Sequence, residues 1–292
     1  MRCGVIACGV PRSLPVVVLK FGSSVLARPD GYRRAADEVA REVAKGHRVV
    51  AVVSAMGSTT DRLIEAARSL APTPPEALLG LLLATGEDAS VALLSIALTS
   101  AGVNVVSLPT EQFRLRTHGA LSDADPVEVD TSTLAAALGT HDAVVLPGFV
   151  GRDASGAPSL LGRGGSDLTA LFLADALDAA EVRLVKDVDG VYSEDPKSAE
   201  RAVALTHATW DEVRRIGGGV VQEKAIAYAE RRGRGFRVSS VGGQGTWVGP
   251  RAAAAPAAST EPPAPDRAFP VPSPRPTPRT RAKKLCVPRP RR

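Results

Sequence analysis

Cysteine is scarce in this sequence, which has only three among 292 residues: Cys3, Cys8 and Cys286. Their spacing matches no metal-binding pattern, and all three lie outside the part of the chain with regular apolar periodicity. A cysteine metal site is therefore excluded, and we expect a reducing, cytoplasmic location.

Long uninterrupted apolar runs are also missing. The most apolar stretch, residues 78–98, contains the polar segment Thr85–Asp88, whereas a membrane-spanning helix needs roughly 18 or more consecutive apolar residues. Residues 1–15 lack the apolar core and cleavage site of a secretion signal and are interpreted as an N-terminal extension. We therefore expect no contact with a membrane.

Aromatic residues make up only 4% of the chain, and none stands among the arginines of residues 275–292. The net charge is +5, but residues 251–292 alone carry +8, so residues 1–250 carry −3. The last segment also holds 11 of the 23 prolines, a composition typical of disorder. We predict a disordered basic tail over residues 250–292, and nucleic-acid binding is not expected except through that tail, because stacking platforms are lacking.

Between these ends, strand-like and helix-like patterns alternate. Apolar, β-branched runs predict strands at residues 15–21, 47–54, 104–108, 143–149 and 181–188. Helical periodicity predicts helices at residues 30–46, 58–70, 75–100, 131–139, 166–179, 208–214 and 219–232. The alternation indicates an α/β fold with a mainly parallel sheet covered by helices on both faces.

Small and polar residues follow several of the predicted strands. In parallel sheets, ligands bind beyond the carboxyl ends of the strands, where loops lead into helices. Lys20 ends the first strand and is followed by Gly22, Ser23 and Ser24, which can present N–H groups and hydroxyls to an anion. The stretch GRGGSD, residues 162–167, opens a helix, where backbone N–H groups also favour an anion.

The order of these segments is more specific than any one of them. The chain reads VVVLKFGSSV, VVAVVSAMGSTTDRL, ATGED, VVLPGFVG, LLGRGGSDLTA and VKDVDGVYSEDPK in that order. This succession resembles the aspartate kinases of the amino acid kinase family, from about Val16 to Gly249. We therefore predict a catalytic domain over residues 16–249.

The resemblance implies a fold and a reaction. The fold would be a three-layer αβα sandwich around a mainly parallel, eight-stranded sheet. The reaction would be transfer of the γ-phosphoryl group of ATP, with Mg²⁺, to the side-chain carboxylate of L-aspartate, giving 4-phospho-L-aspartate on the route to lysine, threonine and methionine. It also implies an oligomer of identical chains.

Roles follow from the same resemblance, position by position. Lys20 would stabilise the phosphoryl group in transfer, and Asp167 would organise Lys20 and the end of the substrate. Glu87 would pair with the substrate ammonium and Arg163 with its α-carboxylate. The other substrate residues would be Ser54, Thr59, Thr60 and Ser166, and the nucleotide would contact Gly22, Ser23, Gly164, Gly165, Lys186, Asp187, Tyr192 and Lys197.

The sequence departs from the family pattern in three places. The first loop reads KFGSSV instead of KFGGTSV or KFGGSSV, and Lys186 replaces the usual threonine. A family lysine that contacts nucleotide is replaced by Gly219 in GGGVVQEKAIAYA, residues 217–229. Lys186 would supply the missing cation. The regulatory domains common in aspartate kinases have no counterpart in residues 250–292.

Two alternatives stay open at this point. The altered first loop and the absent lysine favour a kinase-like subunit that binds nucleotide or amino acid with little or no turnover. The retained Lys20, Glu87, Arg163 and Asp167 favour an active aspartate kinase over such a subunit, and the second, narrower alternative is an active kinase for a different amino acid.

Overall fold

The computed structural model describes residues 14–194, 202–216 and 219–250. In chain order its elements are β1 Val16–Phe21, α1 Pro29–Ala44, β2 Arg48–Val53, α2 Thr59–Leu70, α3 Glu76–Ser100, β3 Val105–Ser107, β4 Leu115–Ala120, β5 Asp123–Val129, α4 Thr131–Thr140, β6 Ala143–Pro147, β7 Val150–Arg152, β8 Pro158–Leu160, α5 Gly165–Ala176, β9 Glu181–Val185, β10 His207–Ala208, α6 Trp210–Ile216, α7 Glu223–Arg232, β11 Phe236–Ser239 and β12 Thr246–Val248.

An eight-stranded sheet organises the fold, in the order β10-β12-β11-β9-β1-β2-β6-β3. All neighbouring strands are parallel except β11 and β12. The predicted sheet is therefore confirmed in strand number and in its mainly parallel character.

Alternate side chains of the central strands pack into two separate cores. Val17, Leu19 and Phe21 of β1 point toward α1 and α3, whereas Val18 points to the opposite face, toward α4 to α7. Because both faces of the strand are buried, its sequence is a continuous apolar run. The result is the predicted three-layer αβα sandwich.

A second sheet of four short strands, in the order β5-β4-β7-β8, is absent from the sequence prediction. Strands β4 and β5 are largely exposed and polar, and β5 contains Pro126, whereas β7 and β8 are only three residues long, so none has the apolar run that indicates a buried strand. This sheet packs against α3 through Val150 and Leu160.

Several predicted bounds need correction. The helix predicted at residues 219–232 begins only at Glu223, because Gly219 has a φ of +67° and Gln222 is extended. The strand predicted at residues 181–188 ends at Val185. The predicted N-terminal extension, apart from its last two residues, and almost all of the predicted basic tail fall outside the described residues.

The helix predicted at residues 75–100 is confirmed, and the polar segment Thr85–Asp88 lies inside it. Glu76–Ser100 is one continuous helix whose best 18-residue window has a mean hydropathy of 1.6, enough in length and composition to cross a membrane. Half of that window is buried inside the protein, and α3 packs against β6 and α1. Its apolar character thus serves the core between helix and sheet, as in the central helices of globular proteins.

Candidate active site

The carboxyl ends of neighbouring strands bring the predicted site residues together. Phe21, at the end of β1, pairs with Val53 of β2 and with Val185 of β9. Lys20, Ser54 and Lys186 therefore lie at one edge of the sheet. Within β1, Lys20 has the same orientation as Val18, so its side chain points toward the face covered by α5.

The buried Lys20 and the partly buried Lys186 share one buried carboxylate at this edge. Lys20 Nζ lies 2.8 Å from Asp167 Oδ1, and Lys186 Nζ donates a hydrogen bond of 2.7 Å to Asp167 Oδ2. Lys20 is 5% exposed and Asp167 2%. Burial alone would raise the pKa of Asp167, but the charges of Lys186 and Lys20 overcome this effect and lower it to about 2. The cluster carries one more positive charge than negative, which favours an anionic ligand.

The surroundings of Lys186 disfavour its charged form. Burial lowers its pKa, and the nearby charge of Lys20 acts in the same direction, whereas Asp167 opposes both. An incoming anionic phosphate would stabilise the charged form of Lys186 in the same way as Asp167 does.

Glu87 provides an unpaired buried acid on another side of the cleft. It lies in the middle of α3 and is 2% exposed, and its Oε2 has no hydrogen-bond partner among the described residues. Burial raises its pKa from 4.5 to about 8, although a backbone hydrogen bond from Ala55 and the charge of Lys20 oppose the shift. A buried carboxyl group with one oxygen left without a partner is suited to bind a cationic group of a ligand.

The start of α5 forms a glycine-rich turn around Arg163. Gly162 and Gly164 have φ values of +72° and +80°, and Gly164 is the residue that caps the helix. Arg163 is exposed, lines the cleft and has no ion-pair partner within residues 14–194, 202–216 and 219–250. Ser166 approaches β6 closely, since a Cβ on Gly148 would lie 2.6 Å from Ser166 Cβ. The turn therefore presents a free guanidinium beside the helix N-terminus.

These groups surround one cleft with a volume of about 650 Å³. Eleven of the predicted site residues line it: Lys20, Ser23, Ser54, Thr60, Glu87, Arg163, Gly164, Gly165, Ser166, Asp167 and Lys186. Gly219, where the family lysine is missing, also lines the cleft, together with Gln222. The structure thus gathers residues as far apart in the sequence as Lys20 and Gln222 around a common volume.

Four predicted residues lie in the described part of the chain but outside the cleft lining. Gly22 adjoins it, because a Cβ there would lie 3.6 Å from Lys20 Nζ, whereas Thr59 accepts a hydrogen bond from Arg62 at the start of α2. Asp187 and Tyr192 follow Lys186 in the loop after β9. Lys197 lies outside the described residues.

The sequence prediction missed other residues that line the cleft. Asp61 of α2, Ser122 between β4 and β5, and Gln222 before α7 are polar, whereas Ile64, Leu79, Leu83, Phe149 and Leu160 form an apolar wall. Lys20 and Ser54 lie at the ends of predicted strands of the main sheet. Among the missed residues only Phe149 has such a position, as the last residue of the strand predicted at residues 143–149. The packing of the second sheet against α2 and α3 brings the residues of the apolar wall together, whereas Gln222 reaches the cleft from the segment before α7.

The donor set also bears on Mg²⁺. The described residues contain no group of three or more His, Cys, Asp or Glu side chains that could hold a metal ion. Mg²⁺ commonly retains water and binds one or two carboxylates together with the phosphates of its substrate. The residues fit a Mg²⁺ ion that is held mainly by a bound nucleotide.

The sequence matches proteins of known activity over most of its length. It is 37% identical to an aspartokinase of Thermus thermophilus over 230 residues, which are 78% of this chain and 57% of that protein. Among solved structures, it is similar to the aspartate kinase of Synechocystis, with a TM-score of 0.68, 29% identity, and coverage of 84% of this chain and 40% of the other. Aspartokinase III of E. coli, solved with aspartate and ADP, gives a TM-score of 0.68 at 25% identity, with 80% and 64% covered.

This chain spans a little over half the length of the curated relatives it matches. The family model for the amino acid kinase family matches residues 15–238, which include every residue that lines the cleft. The sheet order, the cleft at the strand ends and this match agree with one another, and the chain belongs to the amino acid kinase family.

Proposed function

We propose that this chain catalyses the ATP-dependent phosphorylation of the side-chain carboxylate of L-aspartate, giving 4-phospho-L-aspartate and ADP. The observation that carries the proposal is the cleft itself. On one side it holds the cluster of Lys20, Asp167 and Lys186, and around it lie an unpaired acid, Glu87, and an unpaired cation, Arg163. The similarity to aspartokinases over most of the chain supports the same acceptor.

The arrangement suits an amino acid that also carries a side-chain carboxylate. Arg163 would bind the α-carboxylate, for which the planar guanidinium offers two parallel N–H donors. Glu87 would bind the α-ammonium, and its unpaired Oε2 would thereby gain a partner. With both ends of the α-carbon held, the side-chain carboxylate is the group left to react.

Phosphoryl transfer to a carboxylate requires no general base, because the nucleophile is already ionised at neutral pH. A carboxylate oxygen attacks the γ-phosphorus, the bond from that phosphorus to the β,γ-bridging oxygen breaks, and ADP leaves with the electron pair. Positioning and neutralisation of charge therefore provide the catalysis. Lys20 would neutralise the phosphoryl group in transfer, while Mg²⁺ supplies further positive charge at the phosphates.

Lys186 would compensate for the absence of the family lysine at Gly219. Its ammonium group lies at the cleft, where it pairs with Asp167. A phosphate bound at the same edge of the sheet would also lie within its reach. This placement favours an active kinase over a subunit that only binds its ligands, since Lys20, which would stabilise the phosphoryl group in transfer, shares Asp167 with a second cation.

The test is ATP turnover by the purified chain with Mg²⁺, with and without L-aspartate, in which hydroxylamine traps the acyl phosphate as a hydroxamate. We expect hydroxamate that depends on L-aspartate. Lys20→Ala should lower kcat by at least ~100-fold, because removing one preorganised charge-stabilising group costs about 10²–10³ in rate. Lys45→Ala, which removes a lysine that is 58% exposed at the end of α1, serves as the matched control and should leave kcat unchanged.

Other outcomes would contradict the proposal in recognisable ways. Hydroxamate formed only with another amino acid would retain the reaction and replace the acceptor. Calorimetric binding of ATP or aspartate without any product would favour a binding subunit.

A further inference from the structure

Lys224, in the first turn of α7, makes contacts that the reaction described above does not use. Its Nζ lies 2.7 Å from Asp123 Oδ1 and 3.3 Å from Asp125 Oδ1. It also donates to two backbone carbonyls, Ala124 O at 2.9 Å and Leu161 O at 3.2 Å. One ammonium group thus joins three segments that lie far apart in the sequence, and its side chain is only 24% exposed.

Two of these segments border the amino-acid side of the cleft. Leu161 immediately precedes the turn of Gly162 and Arg163. Asp123 begins β5 and packs directly on that turn, since a Cβ on Gly162 would lie 2.1 Å from Asp123 Oδ1. The position of the Arg163 turn is therefore coupled to that of Asp123.

The tip of the β4–β5 hairpin has further links to the walls of the cleft. Ser122 lines the cleft and its hydroxyl donates to Glu76 Oε1 of α3 at 2.8 Å. The Leu160 N–H donates to Leu121 O at 2.6 Å. The hairpin tip thus forms part of the wall beside Arg163, and Lys224 lies at the point where hairpin, turn and α7 meet.

The two aspartates favour a cation at this point, and water also screens them because their side chains are 67% and 68% exposed. Asp123 and Asp125 are two residues apart on one strand, so their side chains lie on the same face of the hairpin. Without a cation between them, the two carboxylates repel each other, and the carbonyl oxygen of Leu161 loses its donor from α7. The hairpin and the turn would then be free to separate.

We propose that Lys224 is a positioning residue that fixes the Arg163 turn against the β4–β5 hairpin and thereby sets the affinity for the amino-acid substrate. The predicted effect on substrate affinity rests on the proposed function, whereas the predicted effect on the positions of the Arg163 turn and the β4–β5 hairpin does not. Lys224 acts through Arg163 and the hairpin, neither of which belongs to the phosphate cluster of Lys20 and Asp167. Gly164 and Gly165, which we predict to contact the nucleotide, follow in the same turn, but the contacts of Lys224 are with Leu161 and the hairpin on its Arg163 side. Its loss should therefore weaken binding of the amino acid more than binding of ATP.

The first experiment compares steady-state kinetics of the wild type with Lys224→Met, which keeps most of the side-chain length but removes the charge. We expect KM for L-aspartate to rise about tenfold, consistent with the loss of a hydrogen bond to a charged group, while KM for ATP and kcat change less than about twofold. Lys224→Arg should restore most of the affinity because it keeps a cation. Arg231→Met removes an exposed cation from the same helix and should have no effect.

The second experiment requires no catalysis and therefore separates this inference from the proposed function. Hydrogen exchange of backbone amides is measured in the same variants without ligand. We expect faster exchange in residues 121–125 and 160–165 of Lys224→Met, and rates like those of the wild type in Lys224→Arg and Arg231→Met. Unchanged exchange in both segments would overturn the proposal even if the chain is an aspartate kinase, as would equal rises in KM for aspartate and ATP. Faster exchange in a protein without turnover would support the positioning role and contradict only the proposed reaction.

Discussion

At the scale of single residues, burial determines which charges the cleft offers to a ligand. Asp167 and Glu87 are equally buried, yet their pKa values move in opposite directions. Burial disfavours the charged form of both, but Asp167 has two lysines within 2.8 Å and stays ionised, whereas an oxygen of Glu87 is left unpaired. Asp167 is thus charged before a ligand arrives, and Glu87 becomes fully charged only when a cation joins it.

This difference predicts how stability depends on pH at Glu87. Its pKa in the folded protein is about 8, against 4.5 without the environment of the fold. The stability that the raised pKa provides is complete below about pH 4.5 and is lost as the pH rises through 8. Glu87→Gln, which stays neutral, should therefore match the wild type near pH 4.5 and exceed it increasingly between pH 4.5 and 8.

The measurement is the free energy of unfolding from urea titrations at several pH values, without ligand. Glu65→Gln, which neutralises an exposed acid on α2, should give a difference from the wild type that does not change with pH. A constant difference between Glu87→Gln and the wild type from pH 4 to pH 9 would show that Glu87 is not held in an unfavourable charged state.

At the scale of elements, the site depends on how α5 begins. The turn before this helix needs left-handed backbone at Gly164, and it also needs the space that a side chain would occupy, since a Cβ on Gly164 would lie 2.4 Å from Gln222 Cβ. The glycine thus permits both the turn of Arg163 and the close approach of the segment before α7.

A comparison of Gly164→Ala with Gly156→Ala separates the cost of left-handed backbone from the cost of the steric clash. Gly156 has a φ of +86°, close to that of Gly164, but nothing lies within 4 Å of its added Cβ. Gly156→Ala should lose about 1 kcal/mol of unfolding free energy, the usual cost of left-handed backbone in a residue other than glycine. Gly164→Ala should lose about 1–3 kcal/mol more from the steric clash and should also weaken binding of L-aspartate.

Urea denaturation and calorimetry with L-aspartate provide the two measurements. If both variants lost the same stability, the contact between the turn and Gln222 would be looser than the structure indicates.

The elements also show how far the sequence could predict the fold. The strands β1, β2, β6 and β9 were predicted because burial on both faces requires apolar residues throughout. In the second sheet, β4 and β5 were missed because they are mostly polar and exposed on one side, and β7 and β8 because they are only three residues long.

The site residues also fall into those that the sequence predicts and those that it does not. Residues directly after central strands, and those in the family's motifs, were predicted, and most of them line the cleft. Lys224 could not be recognised in this way, because its aspartate partner is 101 residues away on a strand that the sequence did not predict. Only the packing of α7 against the hairpin shows what it contacts.

At the scale of the whole molecule, a buried ion network connects the sheet with α1. Arg183 of β9 donates to Glu38 at 2.7 Å and to Glu42 at 3.3 Å, and it also pairs with Glu181. Glu38 in turn accepts a hydrogen bond of 2.8 Å from the Gly242 N–H, in the loop after β11. Since Glu38 and Glu42 are 3% and 1% exposed, their charges depend on Arg183 and a few neighbours and hardly on water.

Removal of Arg183 should therefore destabilise the whole fold. Arg183→Met should lower the free energy of unfolding at pH 7 by about 3–5 kcal/mol, because two buried carboxylates lose their shared cation. Burial alone would raise the pKa of Glu42, but hydrogen bonds from Lys45 and His47 and the charge of Arg183 together lower it. The stability that the lowered pKa provides is present above about pH 4.5 and disappears as the pH falls below that range, so the deficit of Arg183→Met should shrink in acid.

Urea titrations at pH 7 and pH 4 measure both effects, and Arg34→Met provides the control. Arg34 pairs with Asp30 on the surface of α1, where the side chains are 59% and 70% exposed, so its loss should cost less than about 1 kcal/mol at either pH. If Arg183→Met behaved like Arg34→Met, the partners that the glutamates keep, Arg41, Lys45 and His47, would be sufficient to stabilise their charges, or the glutamates would bind protons at neutral pH. If its large deficit persisted unchanged at pH 4, lost packing around the arginine stem would explain it better than lost charge, because protonated glutamates no longer need a cation.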